Sequence, residues 1–112
     1  MTQPPWATTS NSFQGYRIAR YLGVVRGLTV RSPGLGGALS ASLSALGGGR
    51  VDQYIQLCDQ AREEAFQAML AHATALGANG VVAVRYDAGE IGSQGLSEVL
   101  CYGTAVVIEP AE

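Results

Sequence analysis

The amino-acid sequence predicts an α+β domain. The expected form is a two-layer β-α-β-β sandwich: a three-stranded, mainly antiparallel sheet under one long helix, with a short helix in the preceding loop. The stretch Val51–Leu76 lacks Gly and Pro and repeats its apolar residues at helical spacing. The runs Tyr16–Val30, Gly80–Ala88 and Ser97–Glu109 are rich in Val and Tyr, residues that suit a pleated surface. Glycines punctuate the joins. At 112 residues the chain makes one domain, able to bury about two thirds of its unfolded surface.

Residues 1–12 hold Pro4, Pro5 and polar residues and read as a flexible arm with a short strand near Thr8–Ser10; residues 13–112 read as the single domain. Tyr16–Val30 reads as one long strand. Gly23 and Gly27 interrupt it, marking a bulge or bend where another backbone approaches. Pro33, Gly34, Gly36 and Gly37 then break the chain. Leu35, Leu39, Leu43 and Leu46 fall at helical spacing, which predicts the short helix between Gly36 and Gly47.

Along Val51–Leu76, Tyr54, Leu57, Cys58, Ala61, Ala65, Ala68, Met69 and Leu76 share one broad arc. Gln53, Gln56, Asp59, Gln60, Glu63, Glu64, Gln67 and Thr74 occupy the opposite one, as in a helix lying on a sheet. Gly77 is placed to stop it in the left-handed conformation. Gly80–Ala88 and Ser97–Glu109, joined through Gly89–Leu96, read as a hairpin.

The final strand suggests an oligomer. One of its faces carries Val99, Cys101, Gly103, Ala105 and Val107; the other carries Leu100, Tyr102, Thr104, Val106 and Ile108. Neither is polar, whereas a sheet wetted on one side alternates. The helices can cover one face, so a second copy of the chain is the simplest cover for the other. Charge is also uneven: residues 1–50 carry five arginines and no acid, residues 51–112 two arginines and all nine acids, for a net −2. Such polarity suits a head-to-tail contact between copies, or neutralisation within one subunit.

Composition narrows the chemistry. All seven cations are arginine, which excludes a lysine-bearing phosphate loop and a lysine Schiff base. One His and two Cys exclude a multi-histidine or Cys-rich metal site within one subunit. The N-terminus lacks the pattern of a signal peptide, and no apolar run approaches the ~20 residues of a membrane-spanning helix. A cytoplasmic location with two reduced thiols is the expectation.

Three stretches carry a family resemblance: GYRIARYLGVVRG at Gly15–Gly27, AREEAFQAMLAHATALGANGVVAVRYD at Ala61–Asp87, and LSEVLCYGTAVVIE at Leu96–Glu109. Together they resemble the YbjQ family, small bacterial proteins catalogued as heavy-metal-binding, and the likeness runs from about Phe13 to Glu109. It implies a dodecin-like subunit fold, assembly into a ring-shaped homopentamer, and no established enzymatic activity. The sequence departs from the family pattern at Cys101, where a small residue such as alanine is expected, and in the Ala, Ser and Gly richness of Gly34–Gly49.

The candidate metal donors are Cys58, His72 and Cys101. Cys58 and His72 lie 14 residues apart on one helix, about 21 Å along its axis, so they cannot share an ion. A site needs Cys58 to meet Cys101 across the two layers, or donors repeated around a ring, where a hard cation would take Asp or Glu oxygens. No cofactor is required by the sequence, and a metal ion is the candidate. No Ser sits in a nucleophile elbow, and the adjacent Glu63 and Glu64 point in different directions. Gly34, Gly36 and Gly37 lack the third glycine of a dinucleotide fingerprint and its βαβ context. The basic first half is better matched by acids of the same particle than by nucleic acid.

The expected subunit-interface residues are Arg26, Tyr54, Arg62, Arg85, Asp87, Glu98 and Tyr102. The functional expectation is a non-enzymatic homo-oligomeric ring that binds a metal ion or acts as a scaffold, partnered by itself and by neither nucleic acid nor membrane. The alternative is a dodecin-like binder of a flavin or other aromatic ligand, held between subunits against Trp6 or a tyrosine.

Overall fold

The computed structural model describes residues 6–31, 51–91 and 96–112, apart from the side chains at 51, 53, 54 and 91. The short helix expected between Gly36 and Gly47 lies outside the described residues. Five elements follow in order: β1 (Trp6–Ala7), β2 (Tyr16–Arg31), α1 (Val51–Ala75), β3 (Gly80–Ile91) and β4 (Leu96–Pro110). The long helix and three long strands stand where the sequence puts them.

The sheet corrects the expectation in one respect: it has four strands, in the order β1-β3-β4-β2, and is mixed. β1 runs parallel to β3, with Trp6 opposite Gly80 and Ala7 opposite Val81. The extra strand comes from the segment read as an arm. The Trp6 N–H donates to the Asn79 carbonyl at 3.1 Å and the Thr8 N–H to Val81 at 3.0 Å; Ala83 and Val84 N–H groups donate back to Ser10 and Thr8. Strand geometry stops before Thr8–Ser10 because local side-chain bonds turn the chain there. The Ser10 N–H donates to Thr8 Oγ1, and Ser10 Oγ to the Ser12 carbonyl.

The helix ends as its glycine predicts. Gly77 has φ +87°, its N–H donates to the Thr74 carbonyl, and the Ala78 N–H donates to that of Ala73. This paired closure satisfies carbonyls that the helix leaves unpartnered. The chain then enters β3 through Asn79, whose side chain acts as a further rung of sheet. Its Oδ1 accepts the Ile108 N–H at 2.7 Å and its Nδ2 donates to the Ile108 carbonyl at 2.9 Å.

β2 is interrupted at both glycines, in two different ways. The β2–β4 register shifts between Ile18 and Arg20 and between Tyr21 and Gly23, and Gly23 has φ +116°. Gly27 is instead the close approach: a Cβ there would collide with the backbone of Ala65 and Met69 on α1. The β3–β4 register also shifts, between Val82 and Arg85, at the left-handed Ala83 with φ +56°.

Two cores result. Between α1 and the sheet, Val25, Ala65, Met69, Ala73, Ala78, Val81, Val84, Cys101 and Ala105 are buried. On the opposite face Val82, Val106 and Ile108 are buried under Trp6, Phe13, Tyr16 and Ile18. The helix's buried line, Ala61-Ala65-Met69-Ala73, is narrower than the predicted arc. Cys58, Ala68 and Leu76 are exposed, because a helix on a sheet touches along one ridge of residues four apart.

Candidate functional site

Strand register decides which residues share a surface, since alternate side chains point to opposite faces. Gly27 lies opposite Cys101 and Val25 opposite Gly103, and this row faces α1. The intervening residues form the open face. There Arg26, Tyr102 and Arg85 lie in one row across β2, β4 and β3; Leu28, Leu100 and Asp87 form the next; Val30, Glu98 and Gly89 the one beyond. Tyr21 is 70%, Val24 69%, Leu28 50% and Val30 53% exposed. The second weakly polar face of the last strand thus lies open on the β2–β4 half of the sheet, away from the helix.

The other half of that face is covered by the chain itself. The Trp6 ring meets Tyr16 edge-on at 5.1 Å and Phe13 at 6.1 Å, over Val82, Val106 and Ile108. This aromatic cap escaped the sequence reading. Two residues of parallel strand leave no periodic trace, and the rings are scattered through a segment of turn composition.

The three metal-donor candidates lie in unlike surroundings. Cys58 is exposed on α1 while Cys101 is buried, and no disulfide joins them. The Cys101 thiol donates to the Met69 sulfur at 3.7 Å. Burial pushes its pKa up, and the neighbouring Tyr86 hydroxyl only partly opposes this, so the thiolate that metals require is disfavoured. His72 Nδ1 accepts the backbone N–H of Arg26 at 3.2 Å and so caps the outer edge of β2. Among the described residues no three His, Cys, Asp or Glu side chains cluster as an ion would need. A shallow, open depression along the outside of α1, lined by Gln56, Asp59, Gln60, Glu63, Glu64 and Gln67, does not withdraw a bound group from water.

The interface candidates divide. Arg26 and Asp87 are exposed on the open face, Glu98 is half-buried there, and Tyr102 is 37% exposed. Arg85 shares this face by register but is engaged within the subunit, donating to the carbonyls of Thr9 at 2.9 Å and Val84 at 2.8 Å. Arg62 lies 5.7 Å over the Tyr86 ring on the helix side. Desolvation, together with Cys101 and Glu63, raises the Tyr86 pKa, while Arg62 lowers it. The Tyr54 side chain lies outside the described residues. Arg17 pairs with Glu109 and Arg31 with Glu64, neutralising part of the basic half inside one subunit.

Comparison with known proteins agrees with this fold. A UPF0145 protein of Legionella pneumophila strain Corby is 57% identical over 101 residues, spanning 90% of this chain and 95% of that protein. UPF0145 proteins of Chromobacterium violaceum and Burkholderia lata are 52% and 49% identical over 92% and 96% of this chain, covering 87% and 90% of their own lengths. A crystal structure from Pediococcus pentosaceus, of a DUF74-family protein of unknown function, superposes with a TM-score of 0.61. It is 23% identical, over 93% of this chain and 97% of that one, and shares the fold. A family model described as "Putative heavy-metal-binding" matches residues 6–109. It thus begins at the Trp6 strand and includes both faces of the sheet. On that match and those identities, the chain belongs to the YbjQ family of UPF0145 proteins.

Proposed function

We propose that this chain is the subunit of a non-enzymatic homo-oligomeric ring, pentameric as its family resemblance implies, that binds a metal ion or serves as a scaffold. The observation that carries the reading is the open β2–β4 face. Tyr21, Val24, Leu28 and Val30 stand half or more exposed on a single surface with Arg26 among them, and large apolar side chains exposed together in this way mark a contact surface. Any metal site of such a ring would draw donors from several copies, because one subunit's Cys58, His72 and Cys101 occupy unlike surroundings. Two unbridged thiols fit a reducing compartment such as the cytoplasm. The family's metal-binding description supports the ion as ligand.

The second reading, an aromatic ligand such as a flavin between subunits, draws on Tyr21 and Tyr102, which are exposed on the open face. Trp6 is a poorer platform, being packed against Tyr16 and Phe13. Native mass spectrometry of protein purified without chelator tests both readings. A pentamer carrying excess mass equal to an ion supports the first, and a yellow pentamer with the mass and absorbance of a flavin supports the second. An apo-pentamer leaves the scaffold role alone, and a monomer overturns the assembly.

A further inference from the structure

We infer that the open face seats a second copy of this chain out of step, with the Arg26 strip of β2 in one copy lying on the Asp87–Glu98 strip of β3 and β4 in the next. This rests on the assembly proposed above and adds which surfaces meet.

The first observation is where the chain stops covering itself. Trp6, Phe13 and Tyr16 close one end of this face. Beyond that cap, along β2 and β4, Val24, Leu28, Val30 and Tyr102 are exposed on the face. The occupant must therefore cover apolar area and, within the same footprint, meet charges of both signs.

The second observation is which charges lack partners. Among the described residues Arg17 and Arg31 have Glu109 and Glu64, and Arg85 is taken by two carbonyls. Among the described residues Arg26, Asp87 and Glu98 have no ion pair. They also cannot readily satisfy one another in one subunit. Arg26 is on β2 and Asp87 on β3 with β4 between them, about 10 Å across two strand spacings. A sheet stacked about 10 Å above brings side chains of the facing surface between them. A second copy, shifted so that its β2 strip overlies β3 and β4, supplies Arg26 where Asp87 and Glu98 stand and Leu28 where Leu100 stands. A polyanion would meet the two acids, and an anionic lipid surface likewise, so the mixed pattern favours the chain's own complement. In this out-of-step arrangement each seated copy leaves its other strip free, and such head-to-tail contacts close by rotation into a ring.

Charge exchange on the full chain tests this, read by sedimentation velocity and native mass spectrometry. R26E and the double variant D87R/E98R are each expected to weaken association by at least about tenfold, and R26E/D87R/E98R to recover it. All three positions are exposed or half-buried, and far-UV circular dichroism checks folding. V24K, at a residue that is 69% exposed, decides the use of this face if a charge variant fails to fold. Charge variants and V24K as fully assembled as the wild type would overturn this surface while leaving the oligomer standing. Dissociation that the triple variant does not reverse would overturn the Arg26–acid pairing. A monomeric wild type would overturn the assembly reading as well.

Discussion

Gly27 lies against the Ala65 carbonyl so closely that a Cβ on Gly27 would overlap that oxygen and the Met69 nitrogen, and come within 2.7 Å of the Ala68 Cβ. The contact is backbone against backbone, so no side chain can swing aside to relieve it. It sets how deeply α1 settles onto β2, and with it the burial of Val25, Ala65 and Met69, all at 0% exposure.

Gly27→Ala is accordingly expected to lift the helix and cost about 3 kcal/mol, at the upper end of overpacking. Gly89→Ala, where an added Cβ meets nothing within 4 Å, is expected to stay within about 0.5 kcal/mol. Denaturant melts of the two variants check the contrast, and equal midpoints would contradict the close approach.

Asn79 ties the start of β3 to the end of β4 through two bonds to the Ile108 backbone. Asn79→Ala removes both and is expected to cost about 2 kcal/mol, roughly 1 kcal/mol per bond. Hydrogen exchange at the Ile108 amide should accelerate while that at Val25, on the helix side, follows only the global change.

Ala83 holds φ +56°, a conformation that costs a residue with a Cβ roughly 1–2 kcal/mol. Ala83→Gly removes that strain and gives the unfolded chain more freedom. The expected net change is a gain of up to about 1 kcal/mol, visible as a higher Tm. A loss would mean that the Ala83 methyl contributes more than its backbone strain costs.

Alkaline pH should destabilise the fold through Cys101 and Tyr86. Both pKa values are raised by burial above their ordinary 9.0 and 10.0, so the unfolded chain loses these protons first. The folded state then holds the extra protons, and stability is full below the unfolded values and falls as pH rises through the folded ones. Cys101→Ala should flatten the part of this loss that begins near about pH 9 and lessen the Tyr86 part, whose rise Cys101 shares with desolvation. Urea titrations between pH 8 and 11 on wild type and variant, a range chosen around these two values, measure the difference.

Local pattern was enough for the helix, the three long strands, the Gly77 stop and an interruption of β2 at Gly23 and Gly27. Each depends on residues within a few positions of one another, or on a glycine that only a special backbone requires. The two apolar faces of the last strand were legible for the same reason. Tertiary packing settled the rest. Arg85 finds Thr9 across 76 positions and Asn79 finds Ile108 across 29, and no periodicity encodes such pairs. A parallel strand as short as Trp6–Ala7 exists only because β3 offers it an edge. The thiols separated likewise: one arc of the helical wheel holds Cys58 with Met69, but a helix meets a sheet along a ridge. That ridge passes through Met69, which therefore contacts Cys101, and leaves Cys58 in water.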